Sequence, residues 1–453
     1  MLVLALLALP LLSSAHGNHE NDSHSAAKRL PSSWFHERDH PVHELFRRGD
    51  TDGVTYAAVG SSEWSASFPA SWPTNGIDTN SLPSSWVAAL NAAVAAKTIP
   101  DVPVPTMGSD GNPAYPSGQD PTGSDICSGT YGCRVDGDIW DGPDGTATYV
   151  PRFRSYAAFT HFARKGTANL LTFLEGNNQQ VTHFLIGSNI LYAGAQFSQM
   201  VNMSHDIAVH TWTHPYMTTQ SNLQVVGELG WTMQLIHNST GGRIPKYWRP
   251  PYGDTDKRVS AIAKEVFGLT TIVWNQDTAD WTLTESNPYT TPAQIQSNME
   301  TWLSGSKSPG LIILEHELST DSTAAFIAAY PLMIDPKNGW KVESLVSLVS
   351  GNVSYQNAAN NFSPVTENDI INAKNGASGI VAAAAGSSTA ANAGPSGTTT
   401  IKSTPGSVKA GATGSDSSSA PSTTASGKSA ASPRWAMSPT GLITVAAMLM
   451  LWT

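Results

Sequence analysis

At 453 residues the chain has room for two or three average domains, or for one α/β barrel with tails. A formal charge of −10, with only 25 Lys+Arg and no long basic block, argues against nucleic acid as the main partner. Charged residues are 13% of the chain, which suits a Ser/Thr/Gly-padded secreted protein better than a cytosolic enzyme.

Residues 1–15 are a short leucine-rich run ending in Ser13-Ser14-Ala15, read as a secretory signal peptide although a positive n-region is missing. Its apolar core is too short to span a bilayer, so its removal is expected. Residues 16–125 read as an N-terminal extension. Up to about residue 50 it is a disordered arm rich in His, Asn and charge, with dibasic pairs at Lys28-Arg29 and Arg47-Arg48. Trimming as a pro-segment and an uncut arm both remain open. From there to 125 the chain is loop-like and dense in Pro, Ser and Trp, with one helix predicted over Ser84 to Ala96. The only two cysteines, Cys127 and Cys133, predict one small disulfide loop in an oxidising compartment, and two cysteines alone make a poor metal site. Sequons at Asn21, Asn202, Asn238, Asn352 and Asn361, the last with Pro364 just after it, support N-glycosylation.

Residues 126–353 carry the periodic pattern of a folded domain. Helices are predicted over 168–175, 223–237, 259–267, 295–303 and 322–333, and strands over 181–186, 247–249, 270–274 and 311–314. Strands separated by helices imply parallel βαβ units, in an open sheet or a barrel. No Gly-x-Gly-x-x-Gly follows a strand, which disfavours a dinucleotide fold. Residues 354–429 lead into a Ser/Thr/Ala/Gly-rich stalk that cannot bury enough apolar surface to fold and reads as O-glycosylated. Small residues at Ser429-Ala430-Ala431, a spacer and the charge-free run Leu442 to Trp452 match a GPI-attachment signal, so 430–453 is expected to be removed. A tail-anchored helix is the rival, but eleven apolar residues are short for a span.

Four polar clusters follow apolar strand-like runs. The first is His210-Thr211-Trp212-Thr213-His214-Pro215. Neutral imidazoles four residues apart can reach one zinc-like ion, although core or surface histidines look the same in sequence. Thr211, Thr213 and Pro215 argue for a strand running into a loop rather than a helix. The others are Trp248-Arg249-Pro250-Pro251-Tyr252-Gly253, Asn275-Gln276-Asp277-Thr278-Ala279-Asp280-Trp281 and Glu315-His316-Glu317. Active groups of βα folds gather at the carboxyl ends of strands, so four such clusters in one chain describe a site.

In this order the motifs resemble those of the polysaccharide deacetylase family with its NodB-type domain, and among them the GPI-anchored chitin deacetylases of fungi. The resemblance covers about residues 125 to 350 and implies an α/β fold, a distorted (β/α) barrel. It implies a metal-dependent hydrolase that removes N-acetyl groups from chitin, leaving chitosan and acetate. The partner is then the chitin/chitosan polymer, and the place a secreted monomer held on the plasma membrane by a GPI anchor, working in the cell wall. His210 and His214 become ligands of a zinc- or cobalt-type ion, and His316 the general acid for the departing amine. Asp277, in preference to Asp280, tunes His316, and Arg249 orients a catalytic carboxylate. The Tyr252 backbone N–H helps hold the oxyanion, and Trp281 walls the groove. Glu315 and Glu317 read as solvated flanks. Rival readings are a wall-binding protein without turnover and a deacetylase of another acetylated glycan.

The chain departs from the family at its first motif, Thr-Phe-Asp-Asp-Gly-Pro, whose two carboxylates are the base and the third metal ligand. No Asp-Asp pair occurs in this chain. The nearest match is Trp140-Asp141-Gly142-Pro143, with Asp138 just before it. The segment Thr146 to Lys165 carries Arg152, Arg154, Arg164 and Lys165 and no acid, an odd lining for a cation site. Three explanations stand: 146–166 is foreign to the native protein, the chain is a variant that has lost its base, or Asp141 takes the ligand slot with Asp138 as base.

Overall fold

The computed structural model describes residues 51–69, 76–153, 160–366 and 368–372, all in the unit that begins at Gly49, and only the backbone of 152–153 and 160–165. The signal peptide, Asn21, both dibasic pairs, the stalk beyond residue 372 and the GPI signal lie outside the described residues. The architecture is mixed α/β. Apart from a short antiparallel pair, Thr106–Met107 with Pro113–Ala114, its strands in chain order are β1 (Thr146–Phe153), β2 (Thr182–Leu185), β3 (Asp206–Val209), β4 (Tyr247–Trp248), β5 (Thr270–Thr271), β6 (Gln276–Asp277), β7 (Leu311–His316) and β8 (Lys341–Val342). They form one sheet in the order β5-β4-β3-β2-β1-β7-β6, with β8 also on β1, and every pairing in it is parallel.

Parallel strands need crossovers, and helices supply most of them. The described helices of this layer include α1 (Ser84–Ala95), α2 (Thr160–Gly176), α3 (Gly187–Tyr192), α4 (Gly194–Asn202), α5 (Asn222–Ser239), α6 (Lys257–Phe267), α7 (Pro292–Ser304) and α8 (Thr320–Ile334). Their starts are written locally. Ser221 and Gln224 form a capping box at α5, Asp256 caps α6, and Thr291 before Pro292 opens α7. Gly268, at φ 67, closes α6 in the left-handed conformation that a glycine adopts without strain.

Alternate residues of the strands divide the core. Val150, Phe184, Ala208, Tyr247, Ile272, Ile312 and Leu314 form a cluster on one face, as the interior of a distorted (β/α) barrel requires. Tyr149, Leu311 and Ile313 belong to a second cluster packed against α7 and α8. A third cluster brings Trp64, Phe68, Ile77 and Trp86 of the extension together with α5 and α6. Gly230 makes room for it: a Cβ there would lie 2.5 Å from the Trp86 ring. Trp86, 1% exposed, also meets Trp231 and Phe267 edge-on. Ile370 and Ile371 join the same core, so its packed residues reach past 353. Asn361 is fixed there too, its amide donating to the carbonyls of Val201 (2.9 Å) and His205 (2.8 Å) while accepting from Tyr355 (2.5 Å).

The largest departure from the sequence reading is β1. It lies within the stretch suspected of being foreign, yet it is central, pairing with β7 from Ala147↔Leu311 to Arg152↔His316 and with β2 at Arg152↔Phe184. Thr146 to Val150 are all buried. The stretch therefore supplies a central strand of the sheet, followed by no Asp or Glu before Glu175.

Candidate active site

His210 is the first residue after β3, 2% exposed, and its backbone continues the ladder by donating to Leu185 O at 2.9 Å. Its Nδ1 donates to the Arg249 carbonyl at 2.7 Å, which sets the tautomer and leaves Nε2 as the ligand nitrogen. His214 follows a tight turn in which Thr211 (φ 66) and His214 itself (φ 65) are left-handed. The two rings lie 4.9 Å apart at 65°. Thr211 Oγ1 accepts from the His214 N–H at 3.0 Å, and Glu228 from α5 accepts from the N–H groups of Trp212 (2.8 Å) and Thr213 (2.7 Å). Burial pushes Glu228 up to about 7, against the pull of those donors.

Arg249 stands just beyond β4 and is fully buried. Its guanidinium donates to Val150 O of β1 at 2.7 Å and lies 4.5 Å from the centre of the Phe184 ring. Tyr252, three residues on, is left-handed at φ 59 and 45% exposed. Its ring stacks on Tyr216 at 4.1 Å and meets His214 edge-on at 4.6 Å.

On the other side, β6 leads through left-handed Ala279 (φ 53) into Asp280 and Trp281. Asp280 holds His316, the last residue of β7. Its Oδ1 takes Nδ1 at 2.6 Å and its Oδ2 takes the backbone N–H at 2.8 Å. This corrects the preference for Asp277, whose carboxylate accepts instead from the Ala279 N–H at 2.8 Å. Burial lifts Asp277 to about 6, with the Asp280 charge adding to the rise and Arg249 opposing it. Trp281 is half-buried and meets Tyr289 edge-on at 5.9 Å. The cluster thus has two bonded halves, His214 and His210 with the Arg249 carbonyl, and Asp280 with His316. Four of the nine left-handed non-glycine residues among those described lie in its loops, each at about 1–3 kcal/mol of strain. Such concentration marks a pre-organised site.

Other expectations fail. Asp141 is not brought to the imidazoles. It pairs with Arg134, accepts from Asn275 at 2.9 Å, and adjoins Gly142, which bridges Gly310 at the amino end of β7. His316 ends that strand five residues after Leu311, roughly 16 Å away along it. Asp141 lines a separate cleft of about 370 Å³ with Asn275, Trp302 and Leu311. Asp138 accepts from Ser260 at 2.9 Å, and burial lifts it to about 6. Nor are Glu315 and Glu317 solvated, at 2% and 0% exposure. Burial raises Glu315 well above the usual carboxyl range. Glu317 takes His183 Nδ1 at 2.8 Å, and His183 in turn meets His205 at 2.7 Å. Cys127 and Cys133 are joined in the expected disulfide.

The donor set decides what ion could sit here. Two neutral imidazoles suit zinc or cobalt in kind, but a catalytic zinc site uses three protein donors. Among the described residues no group of three His, Cys, Asp or Glu could hold a metal ion. From Gly145 to Leu174 the sequence holds no Asp or Glu, so neither β1 nor the segment leaving it offers a carboxylate. The donors fit in kind and fall one short in number.

Known proteins are similar to this chain. A sequence model described as polysaccharide deacetylase matches residues 152–272. Chitin deacetylase 3 of Cryptococcus neoformans var. neoformans is 38% identical over 327 residues, 72% of this chain and 74% of that protein. Chitin deacetylase 1 of Saccharomyces cerevisiae is 37% identical over 139 residues, 31% of this chain and 44% of that protein. The solved chitin deacetylase of Colletotrichum lindemuthianum aligns at 20% identity and a TM-score of 0.40, over 48% of this chain and 93% of its own.

Proposed function

The chain belongs to the polysaccharide deacetylase family, and on that premise we propose that it hydrolyses the N-acetyl groups of chitin, releasing acetate and leaving glucosamine units. The observation that carries this is the buried Asp280–His316 pair, in one sheet with the buried His210 and His214 imidazoles. In the reaction, water adds to the acetamide carbonyl carbon, the C–N bond breaks, and the amine nitrogen takes a proton. A divalent ion held by His210 and His214 would polarise the carbonyl. His316 supplies the proton. Its Nδ1–H is committed to Asp280, so Nε2 is the nitrogen that hands a proton to the leaving amine. The Tyr252 N–H serves the carbonyl oxygen as charge develops, and the half-exposed Tyr252 and Trp281 offer ring faces to sugars.

No Asp or Glu stands between Gly145 and Leu174, so the end of β1 offers no carboxylate to take the proton that leaves water. Arg249 reaches toward β1 as the resemblance requires, and meets a carbonyl there instead of a carboxylate. That gap supports a second reading, a wall protein that binds acetylated glycan with little turnover. Acetate release from N-acetylglucosamine oligomers, with and without chelator, separates the two. Slow, chelator-sensitive release is expected. Oligomer binding with no acetate at all would favour the binding protein, and release from other acetylated glycans but not from chitin would move the substrate.

The leucine-rich start, the Ser/Thr stalk and the charge-free tail support a secreted protein held on the plasma membrane by a GPI anchor. Truncation near residue 425 should send the protein into the medium. Membrane association that survives the cut would rule the anchor out.

A further inference from the structure

We infer that Glu228 is a positioning residue that sets the spacing of the His210 and His214 imidazoles. The inference rests on the reading of those two residues as an ion-binding pair. His210 is placed by β3 and by the Arg249 carbonyl. His214 lies beyond a three-residue turn, Thr211-Trp212-Thr213, entered and left through left-handed residues. A β-branched threonine at positive φ holds that conformation only where its surroundings over-determine it.

The surroundings here converge on one carboxylate. Oε2 of Glu228 takes the N–H groups of both Trp212 and Thr213, and Oε1 takes the Thr213 hydroxyl. These donors are the two residues between Thr211 and His214. The carboxylate is 1% exposed and comes from the middle of α5, among Val225, Val226, Leu229 and Thr232. From the opposite side the turn is held by the Gly187 and Ser188 N–H groups, which donate to the Thr211 and Trp212 carbonyls at 2.9 and 3.2 Å. The Trp212 ring lies over Gly187, where a Cβ would come within 2.3 Å of it. Helix α3 therefore grips the carbonyl side of the turn and Glu228 the N–H side. An apolar replacement would leave the buried Trp212 N–H and the partly buried Thr213 N–H without this acceptor, and the turn would relax to meet them elsewhere, carrying His214 with it.

Two substitutions separate this role from plain packing. In Glu228→Gln the amide oxygen can take both N–H groups, while its NH2 donates to a reversed Thr213 hydroxyl, so the turn keeps its shape. Glu228→Leu fills similar space with no acceptor. Cobalt(II) is titrated into each variant and into Met233→Ala, which opens a cavity elsewhere on α5, all well below their melting temperatures and followed by the visible absorption of the bound ion. We expect Glu228→Leu to lose about 10–100-fold in cobalt affinity, with Glu228→Gln and Met233→Ala close to the parent. Parent-like affinity in Glu228→Leu, or an equal loss in Met233→Ala, would overturn the inference. If the parent itself takes up no cobalt, the ion-binding reading fails on its own. Hydrogen exchange of the Trp212 and Thr213 amides then decides: fast exchange in Glu228→Leu alone supports the positioning role, and unchanged protection sinks it.

Discussion

The carboxyl ends of β3 and β7 and that of β1 belong to one parallel sheet, yet they carry opposite chemistry. Just after β3 and at the last residue of β7 stand imidazoles, each tied to a partner that fixes its tautomer: the Arg249 carbonyl for His210 and the Asp280 carboxylate for His316. After Val150 of β1 come Pro151, Arg152, Phe153 and Arg154, in a stretch with no acid for twenty residues further. Register makes the contrast sharp, since Arg152 lies directly beside His316 in the ladder. The comparison teaches that fold and chemistry are specified separately here. Strand β1 needs only β-branched and aromatic residues to hold its place, and it has them. What the sequence after it does not hold is an Asp or Glu, none occurring from Gly145 to Leu174.

The most direct way to break this comparison is to give β1 its carboxylates. Replacing the residues that follow Val150 with a short turn bearing Asp-Asp-Gly-Pro should raise acetate release by about 10²–10⁴-fold, the usual worth of a general base. Equal rates in the two proteins would mean that turnover never depended on that strand end. In the same repaired background, Asp280→Asn should lower kcat by about 10²-fold and distort the acidic limb of the pH profile, while Asp277→Asn should do much less. A larger effect at Asp277 would return the tuning role to it.

Stability against pH gives a smaller effect. Folding raises Glu228 from 4.5 to about 7 through burial, so the folded chain keeps a proton that the unfolded chain has lost. The ion-free protein should therefore be steadiest below pH 4.5 with respect to this group, lose of order 3 kcal/mol as the pH climbs to about 7, and then level off. Denaturant melts of Glu228→Gln should lack that decline. A decline unchanged by the substitution would place its origin in the other raised carboxyls, Asp138, Asp254 and Asp277 among them.

Most of the helical layer was legible, because α5 to α8 repeat apolar residues at helical spacing and carry clear caps. The strand β1 was not, since Pro151 argues against an interior strand and the basic residues beyond it suggested foreign sequence. The His210–His214 loop and the Arg249 turn stood out as polar groups after apolar runs. The choice between Asp277 and Asp280 did not, because both stand in one motif and the left-handed bend at Ala279 decides which reaches His316. Glu315 and Glu317 looked solvated only because charge was weighed above pattern. They alternate in phase with Leu311 and Ile313, which are buried. Glu228 carried a similar unread signal, one acid set among the apolar positions of α5.

Asn361 shows that a matching tripeptide need not be a sugar acceptor. Its side-chain nitrogen has two hydrogens, and the folded chain spends both on the carbonyls of Val201 and His205. An N-glycan takes the place of one of them and needs a path to solvent, which a residue 5% exposed does not have. Oligosaccharide added to that nitrogen during synthesis would keep the 354–372 segment from closing onto the helix layer. Asn202 and Asn352, both exposed, impose no such conflict. A secreted sample carrying glycan at those two positions and bare at Asn361 would show the fold acting as a filter on its own modification.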